Sequence, residues 1–452
     1  MPFELKKRVG AAACMLLATW SVFAGGAAAA ASGAGSVLLA PGAGAKVETS
    51  IGPTPQISAR YDPTQARFSP DPQLVELGRV LFHDVRLSDP VGTSCASCHD
   101  PARAFGPDLR RGLRDRDKSP GTARGSRAGQ FGLRAAPSLV YARYVPRRYF
   151  YQDDDALVPS FFGGLMADGS ADSFAEQVRA PLLDPLEMNN RTVQHLHARL
   201  KGNGVAQQLS AQFGKQVERD PEALMRALGT AFEAYLQSDE LSPFSSRFDR
   251  FLRGQGTLSA PEVRGLALFK NQDKGNCASC HTVSETASRP ERSLFTDYGY
   301  EALAAPRNKA LAANRNAKYF DNALCDTARK LKWPEPEQWC GYVRTPSLRN
   351  AAIRQSFMHN GSITSLREVL DFYNTRGTDP KRWFGARGKF DDLAAAHHDN
   401  VNVNSPPLNR RPGMPEALSG AEIDDLLAFL RTLTDERYVA LMPSDPSKAV
   451  TK

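Results

Sequence analysis

Residues 94–101 read SCASCHDP and residues 276–283 read NCASCHTV, so one five-residue word, CASCH, is written twice in a chain of 452 residues. Each copy sets two thiols three positions apart, with an imidazole directly behind the second. Of the seven cysteines, Cys14 lies in an N-terminal apolar run, and Cys325 and Cys340 stand outside the repeat. Two CxxC pairs are by themselves compatible with a zinc site or two disulfides. A histidine after each pair, in an exported chain, points instead to covalently bound haem c. The thiols of Cys95 and Cys98, and of Cys277 and Cys280, would add across the vinyl groups of one haem each, with His99 and His281 as the proximal iron ligands. Cys325 and Cys340 flank DTARKLKWPEPEQW and are expected to form a disulfide in an oxidising compartment.

Export is read from residues 1–31, where Lys6, Lys7 and Arg8 precede the apolar run VGAAACMLLATWSVFAGGAAAA, as in a cleavable signal peptide. No later stretch holds the roughly 18 apolar residues a membrane span needs, so the mature chain is expected to be soluble and periplasmic. Removing the leader takes the formal charge from +8 to about +6. Nucleic acid is an unsuitable partner outside the cytoplasm, whereas a basic surface can steer an acidic redox protein. The segment 103–134 holds nine Arg and Lys against three Asp and reads first as a solvated, mobile loop.

The repeat extends beyond the cysteines. LVELGRVLFHDVRLSD precedes the first CASCH and PEVRGLALFKNQDKGN the second, and both carry Gly-x-x-Leu-Phe on a helical apolar pattern. Ser259 and Glu262 form a capping box at the start of the second copy, with Pro261 in the first turn. Each half closes on an amphipathic helix, PEALMRALGTAFEAYLQS and then SGAEIDDLLAFLRTLTD, the latter with a Ser419/Glu422 box. The expected fold is mainly α: two c-type cytochrome domains, 55–240 and 257–440, each with one haem. DELSPFSSRFDRFLRGQGTLS is the polar linker between them. Thirty-one prolines predict long ordered loops and few strands.

Three stretches carry a family likeness: LGRVLFHDVRLS, GGLMADGSADSFAEQVRAPLLDPLEMNN and TPSLRNAAIRQSFMHNGSITSLREVLDFYN. With them the chain, from about residue 55 to 440, resembles the bacterial diheme cytochrome c peroxidase family and its MauG-like branch. The resemblance implies a peroxide-reacting haem in the N-terminal domain and an electron-transfer haem in the C-terminal one. It also carries Gln177, Pro181 and Glu187 into the distal pocket of the first haem. Glu187 would move a proton between the two oxygens of peroxide, and Gln177 would orient the substrate. Tyr373 lies on SLREVLDFYN, a helix that Ser365 and Glu368 can cap, and the resemblance makes it a candidate sixth ligand of the second haem. Met358, His359 and Met414 are the alternatives.

The chain also departs from the family pattern. No histidine lies between His99 and AAPSL, and His83 precedes the first haem site, so the first iron is expected to be open at rest. The family tryptophan between the haems aligns with Ala167, and the arginine after it with Ser170; Tyr149, Phe150, Tyr151, Phe161 and Phe162 are candidate bridging residues. Gly275 stands near the place where MauG has a surface tryptophan. Relatives hold calcium between the domains through an asparagine side chain and two carbonyls. The matching positions here, Ala135, Arg354 and Ser356, argue against it.

The resemblance therefore implies a peroxidase that reduces hydrogen peroxide with electrons from a small soluble cytochrome c or cupredoxin, in a family whose members are often dimers. Two alternatives stand beside it: a MauG-like oxidase acting on side chains of a partner protein, and a diheme electron carrier with no enzymatic role.

Overall fold

The computed structural model describes residues 58–110, 119–153, 159–285, 289–387, 389–445 and 448; the leader and residues 111–118 of the basic segment lie outside them. The described chain is helix-rich. Its first half holds α1 (Pro72–Phe82), α2 (Cys95–Cys98), α3 (Phe174–Gln177), α4 (Arg179–Leu183), α5 (Val193–Gly202), α6 (Val205–Phe213) and α7 (Pro221–Leu236). Then come α8 (Arg247–Leu252), α9 (Ala260–Lys270), α10 (Leu324–Lys330), α11 (Leu366–Thr375), α12 (Pro380–Phe384) and α13 (Gly420–Arg431). Sheet is limited to two antiparallel pairs among the described residues. β1 (Tyr149–Tyr151) lies against β2 (Ser160–Phe162), and β3 (Tyr300–Glu301) against β4 (Val343–Arg344). No helix among the described residues is long and apolar enough to cross a membrane.

Helix starts follow local chemistry. Asp71 accepts from the Gln73 N–H ahead of Pro72, and Asp220 does the same for Glu222 ahead of Pro221. The capping boxes at Ser259/Glu262 and Ser419/Glu422 are both formed. At α11, Ser365 caps the Glu368 N–H, but the Glu368 carboxylate reaches back one residue further, to the N–H of Thr364.

The duplicated Gly-x-x-Leu-Phe has a packing reason. α1 lies on α7, and α9 on α13. A Cβ added at Gly78 would collide with the Ala231 carbonyl and stand 2.9 Å from the Tyr235 Cβ; one at Gly265 would collide with the Asp425 carbonyl and stand 2.7 Å from the Phe429 Cβ. Each glycine is thus the point where two helix backbones touch, and the phenylalanine four residues on, Phe82 or Phe269, is buried behind that contact.

Two large apolar clusters result. One draws mostly on residues 81–244, and the other, from Phe248 to Leu433, is built around Phe269, Phe295 and Phe429. The stretch expected as a polar linker is not a free tether. It forms α8, whose Phe248 and Asp249 are fully buried. Arg349 clasps Asp249 with both terminal nitrogens, at 2.8 and 2.9 Å, and its guanidinium lies 4.7 Å from the Phe244 ring centre and 4.8 Å from that of Tyr141. Tyr141 in turn donates to Asp435, which also accepts from Asn350. A buried ion pair of this kind is costly unless every lone pair is met, and here the network meets them.

Candidate active site

The two CASCH words are held by one scaffold built twice. Cys95–Cys98 form the short helix α2, and Cys277–Ser279 a single 3-10 turn. All four cysteines are free of disulfides. Burial pushes the thiols of Cys95, Cys277 and Cys280 up to about 12. His99 Nδ1 lies 3.1 Å from the Phe105 carbonyl and 3.0 Å from that of Pro137; His281 Nδ1 lies 2.9 Å from the Phe295 carbonyl, with the Pro346 backbone as its second partner. In each half a Pro-Ser-Leu supplies that proline. The serine hydroxyl, Ser138 or Ser347, donates to the carbonyl just before the phenylalanine, that of Ala104 or Leu294. Phe105 and Phe295 both hold left-handed backbone, at φ of 55° and 54°, which is sparsely populated for such residues.

This second repeat, PSL at 137–139 and 346–348, is contiguous in the sequence but carries no local signal of its role. Its chemistry is clear: with Nδ1–H donated to main-chain oxygens, the imidazole is held neutral with its Nε2 lone pair free for a metal. Burial lowers the proton affinity of both rings, for His281 to about 4. Paired thiols, a neutral imidazole and a fixed ring orientation suit haem c at both places.

On the first site, Glu187 and Cys98 face the same hairpin. The Cys98 sulfur is 3.7 Å from the Arg124 carbonyl, Arg124 is bridged to Phe131, and the Ser126 N–H donates to the Glu187 carbonyl at 2.7 Å. Gly125 and Gly132 line this approach, since a side chain at either would meet the backbone of Leu186 or the Glu187 carboxyl. Burial, reinforced by Asp184 and opposed by Arg134, raises the Glu187 carboxyl to about 7. Gln177 ends α3, and its amide donates to the Met166 sulfur at 3.4 Å; the Pro181 carbonyl accepts from the Met188 N–H at 3.1 Å. His83 caps the C-terminal end of α1 and is exposed. His195 pairs with Asp89, while His197 and His398 bond the carbonyls of Val217 and Leu393.

On the second site, burial raises the Tyr373 phenol above its usual range, and Leu366 and Leu370 of the same helix pack in the cluster that takes in Cys277 and Ala278. Met358 packs in the same small cluster as Tyr373. Met414 is exposed at 43 %. His359 lies with Nε2 3.8 Å from Asp392 and 4.0 Å from Asp321.

Those two aspartates belong to a cluster that sequence reasoning did not single out. Arg134 grips Asp321 through Nε and Nη2, each at 2.7 Å, and Asp168 through Nη1 at 2.6 Å. Asp392 accepts from Asn360 and Arg307 at 2.8 and 3.1 Å, and burial raises it to about 7. The charge run places Arg134 in a solvated loop; in the structure it is instead enclosed by Asp168 and Asp321, partners far along the chain.

Arg354 meets the calcium question directly. Its Nη2 donates to the Ala136 carbonyl at 3.0 Å and its Nε to the Ser356 carbonyl at 3.3 Å. Among the described residues no carboxylate is within ion-pair distance, and burial lowers the guanidinium to about 10. A guanidinium already bound to these carbonyls does not fit beside a hard dication that needs six or more oxygens. Gly275 packs with its α-carbon side toward Cys277, whose sulfur a Cβ there would approach to 3.1 Å. Cys325 and Cys340 form a disulfide.

The chain has clear relatives. The family model for di-haem cytochrome c peroxidase matches residues 72–257. The methylamine utilization protein MauG of Paracoccus denitrificans is 34% identical over 390 residues, 84% of this chain and 93% of that protein. The cytochrome-c peroxidase IdrP2 of Denitromonas iodatirespirans is 27% identical over 378 residues, 82% and 84% of the two chains. Among solved structures, the diheme peroxidase BthA of Burkholderia thailandensis superposes with a TM-score of 0.84 and 56% identity, covering 88% of this chain and 95% of that one.

Proposed function

Because the chain belongs to the di-haem cytochrome c peroxidase family, we propose that it is a periplasmic oxidoreductase that reduces hydrogen peroxide to water with electrons from a small soluble cytochrome c or cupredoxin. Two haem domains, 55–240 and 257–440, divide the work. Cys95, Cys98 and His99 would hold the peroxide-reacting haem, and Cys277, Cys280 and His281, together with Tyr373, the electron-transfer haem. When bound, the haems supply the electrons that peroxide takes up.

The protein's own part is proton movement. Peroxide needs a proton shifted from one oxygen to the other before its O–O bond breaks, and a carboxyl poised near 7 both accepts and returns one. Glu187 is that group, and its place across a shared hairpin from Cys98 is the observation that carries the reading. Arg134 keeps Glu187 from holding its proton too tightly, and Gln177 orients the substrate. The test is steady-state peroxide reduction with a reduced donor protein. Glu187→Gln is expected to lose about 10²-fold or more in turnover, and undiminished turnover would remove Glu187 from the mechanism.

A second reading is a MauG-like oxidase acting on a partner protein's side chains. The 34% identity to MauG and the placement of Tyr373 on the helix that packs in the cluster of Cys277 favour it. A long-lived oxidised state after peroxide reaches the diferric protein supports this reading; immediate return to the resting spectrum opposes it. Two six-coordinate low-spin haems at rest would instead favour a plain electron carrier.

A further inference from the structure

We propose that the aromatic cluster under the Cys325–Cys340 loop is a conduit carrying electrons from the protein surface to the second haem site, a role that rests on the peroxidase reading above. Two of the three tryptophans beyond the leader, Trp333 and Trp339, lie in this one loop, closed by the disulfide. Their ring centres are 5.9 Å apart, and Trp339 stands 5.8 Å from Tyr342. A parallel branch runs from Trp333 to Phe161 at 4.7 Å and on to Tyr300 at 5.0 Å. Neighbours at such spacings are in edge or tilted contact. Tryptophan and tyrosine are among the side chains that give up one electron most readily, and the Trp333–Trp339–Tyr342 line contains nothing else.

The inner end reaches the second CASCH. Tyr342 directly precedes β4, and Tyr300 lies on β3, paired with Arg344. The same segment begins at Phe295, the acceptor for His281, and passes Asp297, whose N–H donates to the Cys280 carbonyl at 2.8 Å. The outer end reaches solvent: both indoles are half-buried between exposed Lys332, Pro334, Glu337 and Gln338. Among the described residues neither indole N–H has a protein acceptor, so its proton can pass to water. The five residues expected to bridge the haems are partly drawn in, since Phe150 and Phe161 form the floor under Trp333. Simple packing does not require oxidisable rings here, because only Phe150, Phe161 and Leu324 of this cluster are buried, and the tryptophans and tyrosines are partly exposed.

Hydrogen peroxide takes up two electrons and two protons to give two waters, and the conduit delivers the electrons one at a time. In each delivery an indole loses one electron and its N–H proton goes to solvent. The donor protein at the surface then returns one electron, and water a proton. Without a donor, the indoles themselves become the reductant.

The test adds hydrogen peroxide to the diferric holoprotein without donor and compares it with Trp333→Phe/Trp339→Phe, after checking that the haem spectra agree. Single variants replace the double one if it misfolds. In the parent protein, freeze-quench electron paramagnetic resonance is expected to show an indole radical, and peptide mapping to find oxygen adducts on Trp333 or Trp339. In the variant the signal is lost and the oxidised state lasts several-fold longer. Peroxide consumption with both indoles unmodified and an unchanged lifetime in the variant overturns the conduit alone. Failure of the parent protein to consume peroxide overturns the peroxidase reading, and the conduit with it.

Discussion

Arg134 and Asp321 face each other in a two-pronged ion pair, Nε to Oδ2 and Nη2 to Oδ1, across 187 residues of sequence. The third arm of the same guanidinium holds Asp168. Arg134→Met is expected to strand two poorly solvated carboxylates and to cost about 3 kcal/mol in urea unfolding, the lower end for a broken buried pair. It has a second, separable effect. Arg134 lowers the proton affinity of Glu187, so on the proposed function its loss is expected to move the pH midpoint of peroxide turnover upward from about 7.

On the mechanism proposed above, Glu187 links pH to both activity and stability. Activity that needs the carboxylate as first proton acceptor falls as pH drops below about 7. Stability runs the other way. A carboxyl raised from 4.5 to about 7 by burial favours the folded state fully only below its unfolded value, and that contribution is lost as pH rises through 7. Glu187→Gln is therefore expected to be more stable than the parent at pH 8, by on the order of 1–2 kcal/mol, while losing turnover. Equal loss of stability and activity would mark Glu187 as a packing residue.

The glycine contacts reverse a familiar rule. Alanine in place of a mid-helix glycine usually gains about 1 kcal/mol. At Gly78 and Gly265 the new methyl meets a carbonyl of the facing helix, and overpacking of about 1–3 kcal/mol is expected to outweigh the gain. Thermal unfolding of Gly265→Ala should show a lowered midpoint. Gly202→Ala, where nothing lies within 4 Å of the added carbon, should not.

Closing a loop of 15 residues by the Cys325–Cys340 disulfide is worth about 3 kcal/mol in the unfolded chain. Cys325→Ser/Cys340→Ser, or the parent protein under reductant, is expected to unfold at a correspondingly lower urea concentration.

What could be read from the chain was what is contiguous in it. CASCH, the capping boxes and Gly-x-x-Leu-Phe are local patterns, and each sits where its chemistry says. The reason for the glycine is not local, because Ala231 and Asp425 are distant in sequence. The same holds for Arg134: within a run of nine basic residues its charge looks solvated, and only the return of Asp321 and Asp168 to its side shows otherwise. Phe248 and Asp249 were masked in a similar way, since a polar, glycine-bearing stretch reads as linker until Arg349 is seen to enter it. The PSL pair was contiguous and still overlooked. Three small residues carry no obvious chemistry until their carbonyls are seen beside a histidine.

That last arrangement bears on how such a protein can change over descent. The groups that accept from His99 and His281 are main-chain oxygens, and no single substitution deletes a main-chain oxygen. Mutation therefore finds little purchase on the rear of either ring. Substitution acts instead on side chains, Glu187 and Tyr373 among them, whose chemistry a change of residue can alter.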